Sequence, residues 1–177
     1  MKRGLSLVAT AALLMGAVGC KRKIDAPPEV APPASTARPP EGVGLDGVNM
    51  PVSQLLGTER ESRPTGTPKT EQVFAAFQQA GLTLTNKTQV LGRTIGARFC
   101  ENAHTPSGVV FSVCEFNDAA TASRGRDYSL RTFGKALPDR DLLVKDKTLL
   151  TITRGKSDDG TKAESVKASQ IFRGLSG

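Results

Sequence analysis

The chain has 177 residues, 24 Lys and Arg against 17 Asp and Glu, and a net charge of +7 with its single His neutral. An apolar fraction of 38% with 23% charged residues excludes both a wholly disordered polyelectrolyte and a multispan membrane protein. Trp is absent and the aromatic residues are seven Phe and one Tyr, so the core must be small and mainly aliphatic.

Residues 1–20 read MKRGLSLVATAALLMGAVGC. Lys2 and Arg3 form a cationic head, Gly4 to Val18 is charge-free and largely apolar, and the small residue Gly19 precedes Cys20. This is the layout of an export signal. A lasting transmembrane helix needs about 20 mainly apolar residues, and here polar, Pro-rich sequence follows Cys20 at once. Two plainer readings are a secretory signal with an incidental Cys20 and an uncleaved anchor. Ala17-Val18-Gly19-Cys20 resembles the lipobox of bacterial lipoprotein precursors, with Ala17 where that family usually has Leu. The resemblance covers these 20 residues alone. It implies diacylglyceryl transfer to the Cys20 thiol, removal of residues 1–19, and palmitate-type acylation of the new amine. Membrane lipid would then be the first partner, since two or three acyl chains hold stably where one does not. Lys21-Arg22-Lys23 would sit among the headgroups, each cation contributing about 1 kcal/mol near an anionic surface. Lys21 after the modified Cys resembles lipoproteins released to the outer membrane of diderm cells.

Nine of the eleven prolines fall between Pro27 and Pro68, and every aromatic residue lies from Phe74 to Phe172. Residues 20–69 therefore read as the lipidated Cys and a disordered tether, stiffened by polyproline II, with a coil-like reach of roughly 40 Å. Within it, Asn49 and Pro51 could open a short helix over 48–56, either transient, docked on the domain or binding a partner.

Residues 70–177 read as the globular domain. Thr70 is a helix cap followed by Glu71 in the first turn; Val73, Phe74, Phe77 and Ala80 share one arc, and Gly81 stops the helix. Residues 82–94 read as extended. Ala97 to Ala103 and Val109 to Phe116 flank Pro106-Ser107-Gly108 as a hairpin. Centring the turn on Ser107 sets Cys100 opposite Cys114 and puts Phe99, Ala103, Phe111, Val113, Glu101 and Glu115 on one face. Asn117 or Asp118 caps a helix over 119–133 that buries Ala119, Ala122, Leu130 and Phe133. Residues 142–145 and 148–153 form a second strand pair. Thr161-Lys162-Ala163-Glu164 is a capping box opening a last helix, with Ala168, Ile171, Phe172 and Leu175 as its buried stripe. The expected fold is α+β: a two-layer domain with an antiparallel sheet packed by about three helices, in the order α-β-β-β-α-β-β-α.

Cys100 and Cys114 point to a disulfide: export brings an oxidising compartment, and lipid consumes Cys20, leaving an even number of thiols. The competing arrangement is zinc held by Cys100, His104 and Cys114 with Glu101 or Glu115, although a flat hairpin spreads these side chains too widely for tetrahedral ligation. His104, at the hairpin tip, has no triad around it, and the chain contains neither G-x-S-x-G nor a phosphate-binding glycine motif. Arg124, Tyr128 and Arg131 form an outward stripe on the helix over 119–133, which could meet an anionic partner or be an ordinary solvated face. Arg126 points inward, so it either snorkels to water or pairs with Glu101 or Glu115.

These features point to a lipid-anchored protein of the bacterial envelope, at the outer membrane in a diderm cell, with its domain in the periplasm or at the surface. The domain is expected to bind an envelope protein or an anionic envelope polymer rather than to catalyse, without cofactor or metal and without nucleic acid as partner. The alternatives are a small envelope hydrolase or metal-dependent enzyme, and a structural spacer.

Overall fold

The computed structural model describes residues 49–66 and 68–176, so the expected export signal, Cys20 and residues 21–48 of the expected tether lie outside the described residues. Five strands form one antiparallel sheet: β1 (Thr85–Val90), β2 (Phe99–His104), β3 (Val109–Glu115), β4 (Arg140–Lys145) and β5 (Thr148–Arg154), in the spatial order β1-β2-β3-β5-β4. Four helices accompany it: α1 (Val52–Glu61), α2 (Thr70–Gln79), α3 (Ala119–Phe133) and α4 (Asp159–Gly174). The fold is α+β, and from residue 70 onward its elements follow the order read from the sequence. None of the described helices is long and apolar enough to cross a membrane.

The sheet separates two apolar clusters. On its front face Ala103, Val109, Phe111, Val113, Leu150 and Ile152 meet Val73, Phe74 and Phe77 of α2 and Ala168 and Phe172 of α4. On its back face Cys100, Cys114 and Leu149 meet Phe116, just after β3, and Ala122 of α3. Period-2 alternation places neighbouring residues of one strand in opposite clusters, as Val113 and Cys114 show. The two-layer expectation thus describes the sheet with α2 and α4, and α3 adds a layer behind it.

The hairpin register is as expected: Cys100 pairs with Cys114 and Ala103 with Phe111. Gly108 takes a φ of 94° in the turn. Between β4 and β5 no Gly is available, and Asp146 adopts the left-handed conformation instead, with φ 49°. Aspartate tolerates this region because its short polar side chain bonds locally. Residues 82–94 are only partly strand. β1 carries an irregularity between Thr85 and Thr88, and a 3-10 helix follows over Gly92–Ile95.

Three helix details differ from the sequence reading. Thr70 is the first helical residue rather than the cap; Lys69 precedes it, donating its N–H to the Gln72 side chain at 2.7 Å. The last helix opens earlier, at Asp159, where Asp158 accepts the Thr161 N–H at 2.9 Å. Glu164, freed from a capping box, accepts hydroxyls of Thr105 and Ser107 in the hairpin turn. In α3 the buried residues are Ala122, Gly125 and Ser129, and Leu130 is 46% exposed. Gly125 explains this rotation. A Cβ there would lie 2.5 Å from the Phe116 ring and 2.9 Å from the Ile95 carbonyl oxygen, so the helix turns its smallest residues inward to approach the sheet.

The largest departure precedes residue 70. Residues 52–61, expected within the disordered tether, form α1, and Leu55 and Glu59 are buried against the domain. The physical reason is long-range and polar. The Glu59 carboxylate accepts the backbone N–H groups of Gly92 and Arg93 at 2.9 and 3.0 Å, capping the 3-10 helix. Pro51 precedes α1, and no side chain caps that end.

Candidate binding groove

β4 is an outer strand of the sheet, paired to β5 alone, so one of its edges is free of a partner strand among the described residues. Beside that edge lies a groove of about 420 Å³, bounded by Arg140 to Leu143 and by Val166, Ser169, Gln170 and Arg173 of α4. Register explains its walls. Asp141 and Leu143 pair with Ile152 and Leu150, so they project to the front face on which α4 packs. Leu143 joins the front cluster at its margin. Val166 stays 57% exposed, an apolar side chain on the open side of the groove.

Polar contacts fix the surroundings. Lys145 donates to the Arg173 carbonyl at 2.9 Å, placing a cation on the last turn of α4, where the helix dipole is negative. Asp141 is ion-paired with Arg154. Arg140 donates to the Leu137 carbonyl at 3.0 Å and to the Ser129 carbonyl and hydroxyl at 3.2 and 3.3 Å, with no carboxylate partner among the described residues. Burial without a counter-charge holds the Arg140 guanidinium below the ordinary arginine range. The groove therefore combines a free strand edge, one exposed apolar side chain, amide and hydroxyl groups, and the cation of Arg173, with Lys145 beside it at the last turn of α4, while the Arg140 guanidinium turns away to α3 behind the sheet. Such a surface can pair the backbone of an extended chain and attract acidic side chains.

The residues singled out by sequence fall elsewhere. Arg124 and Arg131 are exposed and Tyr128 is half-buried on α3. Arg124 donates to the Thr121 hydroxyl at 3.0 Å, within its own helix. Arg126 pairs with Asp127 at 2.8 Å, and not with Glu101 or Glu115. α3 lies behind the sheet, whereas Glu101 and Glu115 project forward with Phe99 and Val113, so the expected pair is on opposite faces.

Cys100 and Cys114 are joined by a disulfide, with their Cα atoms 4.1 Å apart. Both sulfurs are thereby engaged, and the zinc arrangement with His104 is not assembled. Among the described residues no three His, Cys, Asp or Glu side chains gather into a metal-holding group.

Glu115 instead organises a buried staple ahead of α2. It is 2% exposed and accepts the Thr70 N–H and hydroxyl at 2.9 and 3.0 Å. Arg63 and Lys69 are ion-paired with it, and Arg63 bridges onward to Glu71. The Arg63 guanidinium also lies 4.0 Å from the Phe99 ring centroid. Hydrogen bonding to Arg63 holds the Glu71 carboxyl below its usual range. Glu101, half-buried nearby, is pushed the other way by desolvation.

Sequence reasoning missed Glu59, Arg63 and the groove. A signal for the groove was present: Val166 is apolar yet lies off the buried stripe of its helix.

Comparison with protein-family models, with curated proteins and with solved structures finds no match to this chain.

Proposed function

We propose that this protein is a lipid-anchored component of the bacterial envelope whose domain binds, without catalysis, an extended acidic segment of another envelope protein. The sequence Ala17-Val18-Gly19-Cys20 behind a cationic and apolar leader carries the reading, because it supplies both export and a thiol for acylation. The cross-strand disulfide supports it, being the bond that an oxidising compartment preserves. The free edge of β4 supports the mode of binding. An added strand gains affinity from main-chain hydrogen bonds and selectivity from the side chains beside it. Arg173 in the groove and Lys145, bonded to the last turn of α4, favour an acidic segment, Asp141 being already neutralised by Arg154.

A photo-crosslinking side chain at Val166, expressed in intact cells, tests this. The expected product is an adduct with one protein in the membrane fraction, lost when Cys20→Ser releases the chain from the membrane. Substrate turnover by the domain, or no protein adduct at any position around the groove, contradicts the reading.

A further inference from the structure

α1 and the segment that follows it are held to the domain in different ways. From Arg63 to Thr70 the chain is fastened by the buried Glu115 carboxylate, by Arg63 over Phe99, and by the Thr148 hydroxyl donating to the Pro68 carbonyl. α1 buries one apolar side chain, Leu55. Its other attachments are polar: Glu59 on the N–H groups of Gly92 and Arg93, the Gln89 amide donating to the Leu56 carbonyl at 2.7 Å, and Arg60 on the Gln89 side chain at 3.2 Å. Met50 and Val52 remain exposed. Ten residues are too few for a helix to persist in water once its packing is lost.

We infer that α1 is a strap that opens independently of the rest of the domain, latched by the Glu59 carboxylate and hinged at the Arg63–Glu115 staple. Opening converts ten residues at 1.5 Å rise to chain that can extend to about 3.3 Å each, adding roughly 20 Å to the arm ahead of residue 63. It also frees the Gln89 side chain, which α1 engages through the Leu56 carbonyl and Arg60. That the longer arm raises the domain from a membrane rests on the lipid anchor proposed above; the opening itself does not.

Hydrogen exchange followed by mass spectrometry on the Cys20→Ser chain tests the strap without reference to the anchor. In the otherwise unchanged chain, amides within 52–61 are expected to exchange at least about a hundredfold faster than those of β2, β3 and β5, as local opening requires. Glu59→Gln is expected to speed exchange in 52–61 by about tenfold or more, through loss of a charged hydrogen-bond acceptor, and to leave β3 unchanged. Exchange of α1 at the rate of β3 overturns the inference, since the helix would then open only with the whole domain. Equal acceleration of β3 by Glu59→Gln, or no acceleration in α1, overturns the latch. Neither result depends on whether Cys20 is acylated, so failure of the strap and failure of the anchor are separable.

Discussion

Glu115, at the end of β3, accepts both the backbone N–H and the hydroxyl of Thr70, the first residue of α2. One buried carboxylate therefore satisfies an orphan N–H of the helix and receives the charges of Arg63 and Lys69. Removing it leaves the Thr70 N–H and hydroxyl without their acceptor, Lys69 without its counter-charge and Arg63 with Glu71 alone, and breaking a buried pair of this kind costs about 3 kcal/mol. Glu115→Ala is expected to lower unfolding free energy by about 3 kcal/mol. Urea titration followed by circular dichroism measures this; a change below about 1 kcal/mol contradicts the staple.

The Cys100–Cys114 bond closes a short loop between paired strands. The chain-entropy account gives roughly 3 kcal/mol for a loop of this size. Reduction, or the double change Cys100→Ser and Cys114→Ser, is expected to lower the unfolding free energy obtained from urea titration by about that amount without altering the strand register. Stoichiometric zinc in the untreated protein, read by elemental analysis, would instead revive the zinc arrangement.

At Gly125 two effects oppose each other. Alanine gains about 1 kcal/mol in helix propensity, whereas overpacking costs about 1–3 kcal/mol. The Ile95 carbonyl is backbone and cannot rotate away, so the packing cost wins. Gly125→Ala is expected to destabilise by about 1 kcal/mol or more and to disturb Phe116. A rise in melting temperature would contradict the close approach of α3.

Glu101 and Glu71 titrate with opposite consequences. Desolvation raises the Glu101 carboxyl above its ordinary value of 4.5, so its contribution to stability is full below that pH and is lost as pH rises through the folded value. Glu71, lowered by Arg63, contributes above its unfolded value and loses this as pH falls through the folded one. Glu101→Gln stays neutral throughout. It is expected to be more stable than the unchanged protein near neutral pH and equal to it at about pH 3.5. Repulsion from the Glu71 carboxylate adds to the Glu101 shift, so Glu101→Gln relieves it too and the difference near neutral pH keeps its sign. Urea midpoints at the two pH values decide the matter, and a difference that grows towards acid contradicts it.

Legibility in the sequence followed the range of the interactions. The central hairpin could be read because alternation, a Gly-containing turn and two cysteines all demand one register. α2 and α4 could be read because their apolar stripes are continuous, and only their first residues were misplaced. α3 was misread because leucine and phenylalanine suggested a buried side that the absent side chain of Gly125 overrode. α1 was hidden because its sequence, VSQLLGTERE, carries a thin apolar face and is held by carboxylate contacts to residues some thirty positions away. Pairing of Arg126 with Glu115 failed for a related reason. The two were placed on one face by periodicity, but the face chosen by α3 depends on the connection after Phe116, which periodicity does not record.

The central claim is covalent attachment to lipid, and intact mass spectrometry of the protein extracted from membranes tests it most directly. The account predicts a chain that begins at Cys20, carries a diacylglyceryl group and further acyl mass, and is two hydrogens lighter than its fully reduced form. A chain that begins at Met1, or one with an unmodified Cys20 recovered from the soluble fraction, would contradict it.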